Sequence, residues 1–125
     1  MNHNGVISLP LKTGETLVAG EAIEIHNNSQ VPEAKSNTNI DKAIGVILQD
    51  AKQADSNLPA AVQLYSAGGC ALALMVGACN VGDVIYVGTS GKHTASKGSN
   101  KAIGVALEES TGADDVVRVA LGFAV

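Results

Sequence analysis

Lys42-Ala-Ile-Gly-Val46 recurs letter for letter as Lys101-Ala-Ile-Gly-Val105. Asp41 precedes the first copy and Asn100 the second. The likeness continues through Ile47-Leu48-Gln49-Asp50 and Ala106-Leu107-Glu108-Glu109. Upstream, Val18-Ala-Gly-Glu-Ala-Ile-Glu-Ile25 aligns with Asn80-Val-Gly-Asp-Val-Ile-Tyr-Val87, and downstream Val62-Gln-Leu64 aligns with Val117-Arg-Val119. Two copies of one β-unit, about 12–66 and 70–125, account for this pattern, and a pseudo-twofold arrangement is expected. In each copy a glycine (Gly20, Gly82) precedes an acidic residue. Glycine accepts positive φ and Asp favours turns, so these pairs should swing the chain into a strand. Gly45 and Gly104 fall inside strands, where glycine marks a bulge or a close backbone approach.

Working outward, short apolar stretches alternate with Gly, Asn, Asp and Ser punctuation. Val117-Arg-Val-Ala-Leu121 puts Val117, Val119 and Leu121 on one face. Ala22-Ile-Glu-Ile-His26 and Val62-Gln-Leu64 share that period of two, the signature of half-buried strands. Further strands are expected at Val6 to Leu9, Ala43 to Leu48, Cys70 to Val76, Val84 to Val87 and Ala102 to Leu107. Only Asp50 to Asn57 offers a short helical stretch. The expected fold class is all-β, a small barrel or sandwich built from two pseudo-repeated units with an extended N-terminal segment. Residues 1–11 read as an N-terminal arm or edge strand and 12–125 as a single β-domain, a common single-domain size.

The composition narrows the function. Hydrophobic residues make up 46%, yet there is no Trp, one Phe and two Tyr. The core must therefore be Val, Ile, Leu and Ala, which suit pleated layers. Stacking single-stranded nucleic acid takes aromatic rings this chain lacks. Eight Lys plus Arg stand against twelve Asp plus Glu, a formal charge of −4, and Arg118 is the one arginine. A phosphate-tracking surface would be basic, so nucleic acid is not an expected partner. The longest apolar run, Cys70 to Val76, is far short of the roughly 20 residues that span a bilayer. Met1 to Asn4 carries no basic residue and no apolar block follows, so no secretory signal and no membrane partner are expected. Cys70 and Cys79 lack C-x-x-C spacing and read as two small buried hydrophobes.

Several motifs invite chemistry and are better read as structure. Gly88-Thr-Ser-Gly-Lys92 has two residues between its glycines where a phosphate-binding loop has four, so it reads as a hairpin turn. His3, His26 and His93 have no partner at metal-ligand spacing and read as surface histidines. Glu108-Glu109 and Asp114-Asp115 are adjacent pairs. Neighbouring residues in a strand face opposite ways and neighbouring residues in a turn stay solvated, so neither pair reads as a catalytic carboxylate dyad. No catalytic, cofactor or metal residue is expected, and the chain does not read as an enzyme. Asp41-Lys42-Ala43 matches the core of lipoyl carrier domains, which carry a modified Lys at a hairpin tip. Lys101 mirrors Lys42 in the second copy, whereas a carrier modifies only one.

Six motifs occur in order: Ala19-Gly-Glu-Ala-Ile23, Ile44-Gly-Val46, Val62-Gln-Leu64, Val81-Gly-Asp-Val-Ile-Tyr86, Ile103-Gly-Val-Ala-Leu-Glu108 and Val117-Arg-Val-Ala-Leu121. This order resembles a family of bacteriophage capsid decoration (cement) proteins, long catalogued as a domain of unknown function. The likeness runs over about residues 8–121. It departs at the polar stretch holding Gln53, Asp55 and Asn57, and at Gly68-Gly69-Cys70, where the family has a single-glycine strand end. The resemblance implies a structural virion protein that binds the outer surface of a phage head and reinforces it. The implied partners are the major capsid protein and further copies of the chain, a homotrimer being favoured. The implied location is the capsid exterior, after synthesis in the bacterial host cytoplasm. The alternatives are a lipoyl-like carrier domain and a tail or adhesin β-module.

The opening Asn4-Gly-Val-Ile-Ser-Leu-Pro-Leu11 is nearly free of charge. Asn4, Val6, Ile7, Ser8 and Leu9 are therefore the candidate capsid or subunit contacts, by adding a strand to a neighbouring sheet edge. The same stretch reads equally well as an internal edge strand, with Pro10 ending its pairing.

Overall fold

The repeated five letters fall at the same place in two sheets of the same topology. The computed structural model describes residues 5–52, 59–98 and 100–122. Its strands are β1 (Val6–Leu9), β2 (Thr16–Leu17), β3 (Ala22–Asn28), β4 (Val31–Ser36), β5 (Gly45–Ile47) and β6 (Ala51–Lys52). They continue with β7 (Ala60–Leu64), β8 (Gly69–Leu74), β9 (Val84–Val87), β10 (His93–Thr94), β11 (Ala102–Ala106) and β12 (Val116–Leu121). The first sheet runs β1-β7-β5-β3-β4 and the second β8-β12-β11-β9-β10, all antiparallel; β2 and β6 form a separate two-stranded ribbon. Each sheet curls until its outer strands meet. Leu11, just past β1, bridges Ala34 of β4, and Met75, just past β8, bridges His93 of β10. The described residues contain no α-helix, only 3-10 turns at Ile40–Lys42 and Tyr65–Ala67. The chain is an all-β, sandwich-like pair of repeated units.

The hydrogen bonds repeat as the letters do. The Gly20 amide donates to the Ile47 carbonyl and the Gly82 amide to the Ala106 carbonyl, both at 2.9 Å. The Glu21 carboxylate accepts from its own turn at the Val18 amide (2.9 Å), and Asp83 does the same at Asn80 (2.8 Å). Both glycines hold φ near +90°, the left-handed conformation that favours glycine. Gly45 and Gly104 serve a close approach. A Cβ on Gly45 would lie 2.1 Å from the Gln63 carbonyl oxygen, and one on Gly104 2.1 Å from that of Ala120. In the second unit the register also shifts between Ala102 and Gly104, a bulge beside that glycine.

The two units stack in series. Ile23, Ile47, Val62, Leu9 and Leu17 fill the inside of the first sheet. Ala22 and Val46, on the back of that sheet, belong instead to the second core, with Ile85, Val87, Val117 and Val119. The inner face of the second sheet thus lies on the back of the first. Each fully buried Val or Ile contributes about 2 kcal/mol. The seam is also bonded: the Leu74 amide donates to the Gly20 carbonyl, the Ala22 amide to the Gly91 carbonyl, and Lys101 Nζ to the Ala43 carbonyl.

This stacking corrects the expected pseudo-twofold arrangement. A twofold axis would bury both copies alike. Ala22 and Val46 are 0% exposed, whereas their repeat mates Val84 and Val105 are half-buried. The expected helix at Asp50 to Asn57 is corrected in part, because Ala51–Lys52 pairs with Thr16–Leu17 as β6; residues 53–58 lie outside those described.

Candidate functional site

Of the candidate contact residues, Asn4 lies outside the described residues. Gly5 anchors the strand that follows: its carbonyl accepts from the Leu64 amide, and its Cα packs so closely on Ala67 that a Cβ would overlap it. Val6–Leu9 then pairs residue by residue with β7, from Val6 opposite Gln63 to Leu9 opposite Ala60. The strand alternates as a half-buried edge should. Ile7 packs against the first core and Leu9 lies within it, while Val6 and Ser8 are exposed. Past Pro10 the chain is held to β4, the Ala34 amide donating to the Pro10 carbonyl and the Lys12 amide to the Ala34 carbonyl. Among the described members of the candidate set, Val6 and Ser8 face outward.

His93 is a correction: it is fully buried, where its spacing and loop setting point to a surface histidine. Its Nδ1 lies 3.1 Å from the Leu74 carbonyl, an acceptor only, so that nitrogen carries the proton. Nε2 is then the acceptor for the Tyr65 hydroxyl at 2.8 Å. The two rings meet edge to face. Burial pushes the His93 pKa down to about 4, with the Leu74 bond acting weakly the other way, and it drives the Tyr65 pKa far up. The pair is neutral and satisfied on every atom. It ties the 3-10 turn that ends the first unit to a strand of the second. No local sequence pattern marks it, since the strand that carries it, His93–Thr94, is two residues long.

The cysteines divide. Cys79 is buried as expected, and Cys70 is exposed, because β8 turns it to the back of the second sheet. Burial raises the Cys79 thiol pKa. His26 is half-buried near Glu33, at 4.0 Å. Gly88 to Lys92 forms the expected hairpin turn, with the Gly88 amide donating to the Lys92 carbonyl. Lys42 ends the 3-10 turn ahead of β5 and is exposed.

The acidic residues mostly hold local structure. Asp115 accepts from the Thr111 amide (3.0 Å), which leads in keeping its carboxyl below the usual range. Glu108 accepts from the Arg118 amide and pairs with its guanidinium at 3.5 Å. Asp114 pairs with Lys92 at 2.6 Å. Glu24 is buried and unforeseen by its sequence position. Its Oε1 accepts from Asn37 Nδ2 and from the Thr38 and Asn39 amides, all within 3.0 Å. Burial opposes its ionisation, but those amides and Lys35 outweigh it and leave the pKa lowered. Among the described residues no three His, Cys, Asp or Glu side chains gather as a metal site would need, and no helix is long and apolar enough to cross a membrane. A cleft of ≈ 470 Å³ opens on the seam between Ile44, Tyr65, Lys101 and Ile103.

The crystal structure of the head fiber gp8.5 N base in bacteriophage phi29 superposes with a TM-score of 0.65 over 93% of this chain and 93% of that one, at 17% identity. The fold is similar to that of a phage head-fiber base. At that identity the likeness concerns the fold alone. No family model matches the chain, and no curated protein matches it.

Proposed function

We propose that this protein is a structural component of a phage virion that binds the outer surface of the head and reinforces it, with no catalytic site of its own. The observation that carries the reading is the shared fold with the phi29 head fiber N base across nearly the full length of both chains. The six motifs that resemble the decoration family lie on the paired units that make up this fold, so two separate lines meet on one architecture.

The mechanism is multivalent binding. A subunit that makes a modest contact with the shell is held firmly when an oligomer engages several sites at once, because each later contact forms at high effective concentration. The partner in this reading is the major capsid protein, and the favoured form is a homotrimer made in the host cytoplasm and carried on the capsid exterior. Among the described candidates Val6 and Ser8 face outward on β1, and Asn4 stays a candidate beside them. The carrier alternative has less support: Lys42 sits in a 3-10 turn that leads into β5, not at a hairpin tip.

Co-sedimentation with expanded phage heads stripped of accessory proteins tests the reading. Saturable binding at a fixed small ratio per shell position is the expected result. A folded protein that stays in the supernatant at all concentrations would refute it.

A further inference from the structure

β3 outruns the strand beside it. It pairs with β5 at Ala22 and Ile23, yet continues to Asn28 as one arm of the hairpin with β4. Ile25 stands opposite Ala34, whose amide bonds Pro10 and whose carbonyl bonds Lys12, on the side away from β3. By the alternation of an antiparallel ladder, the amides and carbonyls of Ile25 and Asn27 therefore point away from β4. Among the described residues no strand lies beside them on that side.

The second unit shows what this edge lacks. The repeat mate of Ile25 is Val87, and that of Lys42 is Lys101. The Val87 amide donates to the Lys101 carbonyl at 2.8 Å, and Val87 is 0% exposed. In the first unit Lys42 ends a 3-10 turn instead, its amide donating to the Asn39 carbonyl. Glu24 holds the chain ahead of that turn, since its carboxylate accepts from the Thr38 and Asn39 amides. β5 then starts at Gly45, two residues later in the repeat than β11 at Ala102, and Ile25 is left 45% exposed. Sheet edges are normally blunted by charge, proline or a bulge. Ile25-His-Asn-Asn28 carries no Lys, Arg, Asp, Glu or Pro, and its pairing with β4 runs without a register shift.

We propose, resting on the head-binding reading, that this free edge of β3 is where the shell attaches: an extended segment of the major capsid protein adds to it as a further strand. Outward N–H and C=O groups in a row are met in full by another extended backbone, and exposed Ile25 gives that strand an apolar side chain to pack on. β1 is already paired with β7, and the chain past it is held to β4. Size argues for the shell over a second copy. Two outward residues fall far short of the about 1,200 Å² that a free-standing protein pair buries, whereas an oligomer on a shell engages several such edges at once.

Ile25→Pro is the first test. It removes an outward amide, and proline is tolerated at such an edge position, so the circular dichroism spectrum should not change. Affinity for expanded, stripped heads should fall at least about tenfold, while Ile25→Ala, which keeps the amide, should stay within about threefold of the wild type. Hydrogen exchange in the wild-type chain gives the second readout, should the proline variant fail to fold. The Ile25 and Asn27 amides should exchange freely in solution and at least about tenfold more slowly on heads. A wild type that binds heads no better than folded Ile25→Pro overturns the edge and leaves the head-binding reading standing. So do amides that exchange alike free and bound, or an alanine variant that loses as much as the proline one. A dimer in solution that Ile25→Pro dissolves gives the edge to a second copy and overturns the shell as its occupant. A wild type that binds no heads refutes both readings together.

Discussion

His93 carries the sharpest consequence of any single side chain. Its ordinary pKa is about 6.5, and burial against Tyr65 pushes it down to about 4. The unfolded chain therefore takes up a proton at a pH where the folded chain does not. The sign follows from linkage: this stability is fully present above pH 6.5, falls as the pH drops, and levels off near pH 4. The loss should reach about 3 kcal/mol, measured as urea midpoints across that range. Replacing His93 with Gln should flatten the profile in that window. Tyr65→Phe leaves His93 Nε2 buried without a donor and should cost about 1–3 kcal/mol by the same assay. Two glycines make a paired prediction. Gly45→Ala and Gly104→Ala each drive a Cβ into a carbonyl oxygen at 2.1 Å, so each should destabilise by about 3 kcal/mol or more. Equal penalties would reflect the equal geometry, and a neutral Gly104→Ala would mean that the β11–β12 contact is looser than the structure has it. At this scale the repeat made the glycines legible. The buried histidine was not, because nothing local distinguishes a loop His from one that a barrel closes over.

Among the elements, alternation and glycine punctuation located most of the strands. β1 and β9 have the expected bounds, and β3, β5, β7, β8, β11 and β12 fall within a few residues of theirs. The strands without a sequence signal are β2, β4, β6 and β10. Three are two residues long, too short to show a period. β4 reads Val-Pro-Glu-Ala-Lys-Ser, polar and interrupted by Pro32; it lies at the sheet margin, where proline is tolerated, and its buried carboxylate Glu33 is bonded by Asn28. The hairpin from β3 to β4 turns through Ser29 and Gln30, both at positive φ (51° and 72°), with Asn28 opposite Val31. Two positive-φ residues in a two-residue loop define a type I′ turn, for which Asn-Gly is the favoured pair. The double change Ser29→Asn, Gln30→Gly should stabilise the protein by about 1 kcal/mol, seen as a raised thermal midpoint. A lowered midpoint would mean that the Gln30 side chain contributes more than its backbone costs.

For the whole molecule, the five-letter repeat disclosed two like units but not their relation. A repeat fixes what each unit can bury, and both units bury an inner face. Which back is then covered depends on how the connection at Tyr65–Ala67 swings the second unit over, and no local pattern encodes that. The sequence therefore pointed to symmetry where the structure has a serial stack. The same gap applies to the candidate contact strand. Asn4 to Leu9 stands out for its lack of charge, which is shared by core edges and docking arms alike; only the pairing of β1 with β7 separates the inward Ile7 and Leu9 from the outward Val6 and Ser8. Head binding belongs to this scale, since it needs the assembled surface and not any one residue. Electron cryomicroscopy of expanded heads saturated with the purified protein tests it most directly. Density for two stacked β-units at symmetry-related positions on the outer shell is the expected result. A bare outer shell after saturation, or density confined to the tail, would contradict it.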